Sequence, residues 1–200
     1  MRKLFSLAAA TLLLVPIGLD AQACQGSPAD RGSAILVGSV AFTENQTAFG
    51  PTVGGNFEGP IFASGTFSYS DIDGTDEALL GVGGQVGAEL LTDSRVSFCL
   101  TGSASHNWVT DVDIDGQVYN GALSIGHSIA AEEVFVTPHA SLGVTHATAN
   151  VGVFEGSDTA AKFGGGVTVG SRTVFVGGSV SYATFDDADP VFGVGLGFAF

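Results

Sequence analysis

The chain has 200 residues and a formal charge of −14, with only six Lys and Arg. Six bases cannot neutralise a run of phosphates, which excludes a nucleic-acid partner, and 200 residues allow one domain, or one domain behind a processed leader. Mean hydropathy is +0.39 although glycine is about twice its average share. No apolar run past the first residues is long enough for a helical membrane span, so the hydrophobic residues are dispersed by alternation.

Residues 1–23 read as a secretory signal peptide: Arg2 and Lys3, the apolar stretch Leu4 to Leu19, then Ala21-Gln22-Ala23 as a small-residue cleavage site. Export follows. Cys24 then stands at or near the new N-terminus, which raises lipoprotein acylation; the residue three before it is Ala21, where that signal usually has Leu. Residues 24–32 form a lead-in rich in small residues, and residues 33–200 the folded domain.

From there the chain divides into strand-sized segments with a period of two. Ser33 to Phe42 is the first, followed by the weaker Thr47 to Phe57 and by Pro60 to Ser70. Ala78 to Leu91 sets Leu80, Val82, Val86, Ala88 and Leu90 against Gly81, Gly83, Gln85, Gly87 and Glu89. Arg95 to His106 sets Val96, Phe98 and Leu100 against Ser97, Cys99 and Thr101. Gln117 to Ala130, Glu133 to Ala147, Ala160 to Gly170 and Thr173 to Ala183 repeat the pattern. The tenth, Pro190 to Phe200, alternates Phe192, Val194, Leu196, Phe198 and Phe200 with glycines and small residues. Each is long enough to cross an outer-membrane apolar band when tilted.

Short and long connections alternate. Glu58-Gly59, Thr92 to Ser94, Ala131-Glu132 and Ser171-Arg172 are tight, whereas Thr43 to Gln46, Asp71 to Glu77, Asn107 to Gly116, Thr148 to Asp158 and Thr184 to Asp189 are mostly longer. Short periplasmic turns and long outer loops are the habit of transmembrane barrels. Charge placement agrees. Glu89 and Lys162 are the only charges well inside strands, and both fall on the inward parity; a base at mid-depth on a lipid face costs about 2–4 kcal/mol. Pro51 and Pro138 fall mid-strand, where proline removes a ladder hydrogen bond. Pro138 reads as a bulge. Pro51 keeps a second topology open, an eight-stranded barrel with residues up to about 59 outside the wall.

The closing strand resembles the C-terminal assembly signal of bacterial outer-membrane β-barrels: a terminal aromatic, Phe200, preceded by Phe192, Val194, Leu196 and Phe198 at every second position. The resemblance implies that the barrel assembly machinery engages this strand. By pattern, the chain past the leader resembles the small outer-membrane barrel family of OmpA-like and opacity-type proteins. The expected fold is therefore all-β, a transmembrane antiparallel up-and-down barrel of ten strands, set among outer-membrane lipid and lipopolysaccharide. The family usually has eight strands.

Candidate sites are few. Gln85, Glu89, His139 and Lys162 are the polar exceptions in a lumen of Gly, Ser, Thr and Ala. Cys24 and Cys99, the only cysteines, can form a disulfide in an oxidising periplasm and tether the lead-in at the barrel mouth. Asp111, Asp113 and Asp115, followed by Gly116, match the opening of a calcium loop, but the twelfth position, which needs a bidentate Glu, holds Ala122. Weak divalent-cation binding is the most this motif allows, and no other cofactor is expected. His106 and His146 near outer strand ends raise a rim hydrolase or acyltransferase, without a nucleophile motif to accompany them. The leading reading is a non-enzymatic outer-membrane protein contributing to envelope integrity or surface interaction through acidic outer loops. A narrow passive pore for small solutes is the second.

Overall fold

A computed structural model describes residues 34–57, 60–72, 77–93, 96–110, 112–131, 133–186 and 188–200. The expected signal peptide, the lead-in and Cys24 lie outside them. Among the described residues no helix is long and apolar enough to cross a membrane.

Eleven strand segments follow one another: β1 Ala34–Phe42, β2 Gln46–Asn56, β3 Ile61–Ile72, β4 Ala78–Asp93, β5 Val96–Val109, β6 Ile114–His127, β7 Ile129–Ala131, β8 Val134–Val151, β9 Phe154–Gly170, β10 Val174–Ala183 and β11 Val191–Ala199. Every pairing is antiparallel and between neighbours in the chain, except that β6 pairs with β8 and that β1 pairs with β11 and so closes the ring. The short β7 continues β6 past Ser128 and pairs with β8, as β6 does, so the wall has ten strands. At the lower end Ala34 and Phe200 exchange backbone hydrogen bonds of 2.9 and 3.0 Å.

The register gives the tilt. Traced from Phe42 through β2 and β3 it reaches Ala78 of β4, whereas traced the other way round the ring it arrives near Leu91 of the same strand. That stagger is the shear that closure of a tilted sheet demands.

Both prolines sit in the wall. Pro51 lies in β2 opposite Gly38 of β1, and the ladder to β3 skips from Phe49↔Tyr69 to Thr52↔Thr66 without changing register. The backbones nearly touch there: a β-carbon on Gly50 would stand 1.9 Å from the Phe67 carbonyl oxygen. β1 and β2 are thus wall strands, and the eight-stranded alternative does not hold. Pro138 keeps its place against Val167 of β9, and the interruption falls on its other neighbour, at Ser128, whose hydroxyl accepts from Thr137 Oγ1 at 3.3 Å.

Two expected loops are mostly strand. β5 runs to Val109 and β6 starts at Ile114; β8 and β9 fill nearly all of residues 148–158, leaving only Gly152 and Val153 between them. Gly152 adopts φ 59°, the left-handed conformation such a tight turn needs. Apolar alternation ends where hydrocarbon ends, but a backbone ladder can continue into water. Wall height is therefore uneven: β8 and β9 have 18 and 17 residues, β1 and β11 nine each.

Candidate functional site

The alternation divides the side chains into an outward belt and an inward lumen. In β11 Phe192, Val194, Leu196 and Phe198 point outward, and Val191, Gly193, Gly195, Gly197 and Ala199 inward. Phe200 is 76% exposed at the lower rim. The same outward belt continues through Leu36, Val40, Phe67, Val86, Leu100, Leu123, Leu142, Phe163 and Val176, which cover neighbouring strands with apolar surface. A belt of this extent is stable only against an apolar surrounding.

The lumen has three storeys. Its lower end holds Ile35, Val37, Phe135, Phe175 and Ala199 in one buried cluster spanning β1, β8, β10 and β11. Phe62, also turned inward, packs against Cys99 in a separate cluster. Cys99 is fully buried and disulfide-bonded; the only other cysteine, Cys24, lies outside the described residues. Glu89 lies opposite Cys99 in the register and is partly buried.

The upper end holds a second apolar cluster of Leu79, Val109, Val118, Ala147, Ala149, Ala160 and Phe185. These residues come from β4, β5, β6, β8 and β9 together with the connection after β10, which turns the Phe185 ring inward. Thr184 anchors that connection: its N–H donates to the Ala161 carbonyl at 2.9 Å, and its hydroxyl accepts from the Ala161 N–H at 3.1 Å.

Between the two clusters the lumen is polar. Gln85 and His139 are buried there, and Lys162 lines the same cavity with Ser124, Ser141 and Ser181. Thr52 and Thr66 share a 2.8 Å hydrogen bond, and Asn120 Nδ2 donates to Ser103 Oγ at 3.1 Å. Six further polar atoms, on Ser105, Asn107, Ser124, His139, Thr145 and Thr168, are buried without a hydrogen-bond partner among the described residues. Buried polar groups are ordinarily satisfied, so these positions suit ordered water.

The aromatic residues at the upper edge of the outward belt meet in four pairs: Phe42–Phe192 at 5.8 Å, Phe49–Tyr69 at 5.0 Å, His106–Trp108 at 5.7 Å and Tyr119–His146 at 6.5 Å. His146 Nδ1 and Thr159 Oγ1 lie 2.7 Å apart. Both expected rim histidines therefore face sideways, out of the wall. The carboxylate beside Thr159, Asp158, accepts from the Thr159 N–H and does not orient the imidazole.

Charge divides the two ends. Glu44, Asp71, Glu77, Asp113, Asp115, Glu155, Asp158, Asp186 and Asp189 are at the upper end, where the sequence has no Lys or Arg in residues 43–46, 71–78, 107–117, 148–158 or 184–190. Of the expected cation ligands, Asp111 lies outside the described residues. Asp115 is in β6, where Asn150 Nδ2 donates to its carboxylate at 3.3 and 3.5 Å. Among the described residues no three His, Cys, Asp or Glu side chains gather as a metal site.

Sequence reading missed the inward apolar residues. Phe62, Phe135, Phe175, Leu79 and Val118 all lie on the lumen parity, and counting by twos from Gly87, His139 or Gly177 would have placed several of them. Phe185, in a connection, carries no such signal.

Neither a protein-family model nor a curated protein matches the sequence. Solved structures do match. The β domain of the Bordetella autotransporter BrkA is 15% identical over 86% of this chain and 100% of that one, with a TM-score of 0.57. A bacterial polysaccharide outer-membrane secretin is 13% identical over 84% of this chain and 69% of that one, TM-score 0.51. The N-terminal β-barrel domain of Pseudomonas aeruginosa OprF is 15% identical over 85% and 98%, TM-score 0.40. The chain has the fold of outer-membrane β-barrels.

Proposed function

We propose that the protein is a non-enzymatic outer-membrane barrel with a closed lumen, which supports the envelope and meets other molecules through its acidic upper face. The lower end then faces the periplasm. The observation that carries this reading is the apolar packing at both ends of the lumen, Phe135 and Phe175 below, Phe185 and Leu79 above. A permanently open channel would need a polar path through both. Export through a cleaved leader, engagement of Phe192 to Phe200 by the assembly machinery, and a Cys24–Cys99 tether of the lead-in belong to the same reading. So does weak divalent-cation bridging at the acidic face, tested by calcium calorimetry at millimolar concentration.

Single-channel recording in planar bilayers tests the central statement. Silence at high protein load is the expected result, and defined openings of the unaltered chain would overturn it. The second reading, a narrow passive pore for small solutes, draws on the polar middle storey, whose hydroxyls suit a water path. The rim hydrolase or acyltransferase has less in its favour. The His146–Thr159 pair has the reach of a base and a nucleophile, but it lies on an open wall with no orienting group bonded to the ring.

A further inference from the structure

The upper edge of the outward belt is not the same all the way round. Over β1, β2, β3 and β11 it consists of the phenylalanines Phe42, Phe192 and Phe49 with one hydroxyl, that of Tyr69, which is engaged by Asp71. Over β5, β6, β8 and β9 it changes character. The register aligns Ala104, Tyr119, His146 and Thr159 across four neighbouring strands, and His106 aligns with Gln117 two residues further along. Trp108 stacks on His106, and Tyr119 on His146. The Tyr119 hydroxyl donates to Gln117 Oε1 at 2.5 Å. Two aligned rows below Tyr119 the same strands offer only Leu100, Leu123, Leu142 and Phe163.

The patch thus joins ring faces, amide, imidazole and hydroxyl groups directly to a greasy column, and it faces sideways. Its complement is an amphiphile lying along the wall: acyl chains on Leu123 and Leu142, and a polyhydroxylated head against Trp108, Gln117, Tyr119 and His146. Aromatic faces and neutral hydrogen-bonding groups suit sugar rings. Bare phosphates are disfavoured, because Asp115 and Glu155 lie just above and no Lys or Arg is present at this end. We infer that this face is a binding site for the saccharide head of an outer-leaflet glycolipid, recognised through its sugar hydroxyls. The inference rests on the outer-membrane reading above and adds the ligand class and the residues.

Trp108 is the chain's only tryptophan, so its emission reports occupancy directly. The full chain, folded in detergent micelles, is titrated with lipid A, with the same glucosamine disaccharide lipid stripped of its phosphates, and with phosphatidylglycerol. A saturable change with both saccharide lipids and none with phosphatidylglycerol is expected. Gln117→Ala and His146→Ala should each raise the midpoint about tenfold, and Phe49→Ala on β2, across the ring from β6 and β8, should leave it unchanged; heat-dependent gel migration verifies that each variant is folded. An equal response to phosphatidylglycerol, indifference to both patch substitutions, or a response confined to the phosphorylated lipid with divalent cations overturns the site. A chain that stays folded and monomeric without detergent overturns the membrane reading itself, an outcome distinguishable from the others.

Discussion

The ring of Phe175 occupies the space where Gly197 would carry a side chain: a β-carbon there would stand 2.2 Å from the ring's Cζ. The same relation recurs between Phe62 and Gly87, again at 2.2 Å. Each glycine is the space that lets a large inward ring fold against the wall at the lower end of the lumen.

Gly197→Val should therefore displace Phe175 toward Ile35 and Phe135, at about 1–3 kcal/mol, the usual cost of overpacking. Gly38→Ala, with nothing within 4 Å of the added carbon, should stay within about 0.5 kcal/mol of the parent. Urea titration of the folded barrel in micelles compares the two. Equal effects would mean that the ring does not need the glycine.

Closure at both ends predicts a non-additive conductance. Phe185→Ala alone leaves the lower cluster in place, and Phe135→Ala with Phe175→Ala leaves the upper one. Each should be silent in planar bilayers, while the triple variant should open to a small, defined level. Openings of a single-end variant would show that the other end is no barrier.

The boundary between belt and solvent can be read with one charge moved along β8. Leu142→Arg places a base in the middle of the outward belt and should cost about 2–4 kcal/mol. Asn150→Arg, eight residues nearer the tip and beside Asp115, should be neutral or mildly favourable. Refolding yield into lipid vesicles ranks them.

The Cys24–Cys99 tether predicts that the unreduced mature chain takes up no maleimide and that Cys99→Ser takes up one, at Cys24. Loss of the cross-link should lower stability by about 2–4 kcal/mol if the bond acts mainly on the unfolded chain. Two reactive thiols in the parent protein would remove the tether.

The wall was legible because hydrocarbon imposes a strict rule: every second residue of each strand must be apolar, and charges must go elsewhere. Strand number, the inward parity of Gln85 and His139 and the outward parity of Phe192 to Phe198 could all be read from that rule. Above the belt the rule lapses. Residues 148–158 carry polar and acidic side chains and look like a loop, yet Thr148↔Ser157 and Asn150↔Glu155 continue the ladder. The lumen was misjudged for a related reason. Phe62, Phe135 and Phe175 sit where strands begin, beside outward Ile61, Val134 and Val174, and two adjacent apolar residues hide which one faces in. The patch on β5, β6 and β8 is a property of register, which a period of two leaves undetermined until the strands are paired.

The unequal wall has a consequence for whatever arrives from outside the cell. From Phe163 to Phe154 the β9 strand climbs on the order of 20 Å at the rise and tilt of a barrel strand, and its turn ends in Val153, 94% exposed, and Phe154, 57% exposed. Among the described residues this turn thus sets two exposed apolar side chains next to the carboxylates of Glu155 and Asp158. A partner of like charge is turned away within a Debye length, roughly 8 Å in physiological salt, and only one that passes that distance can rest on the small apolar knuckle.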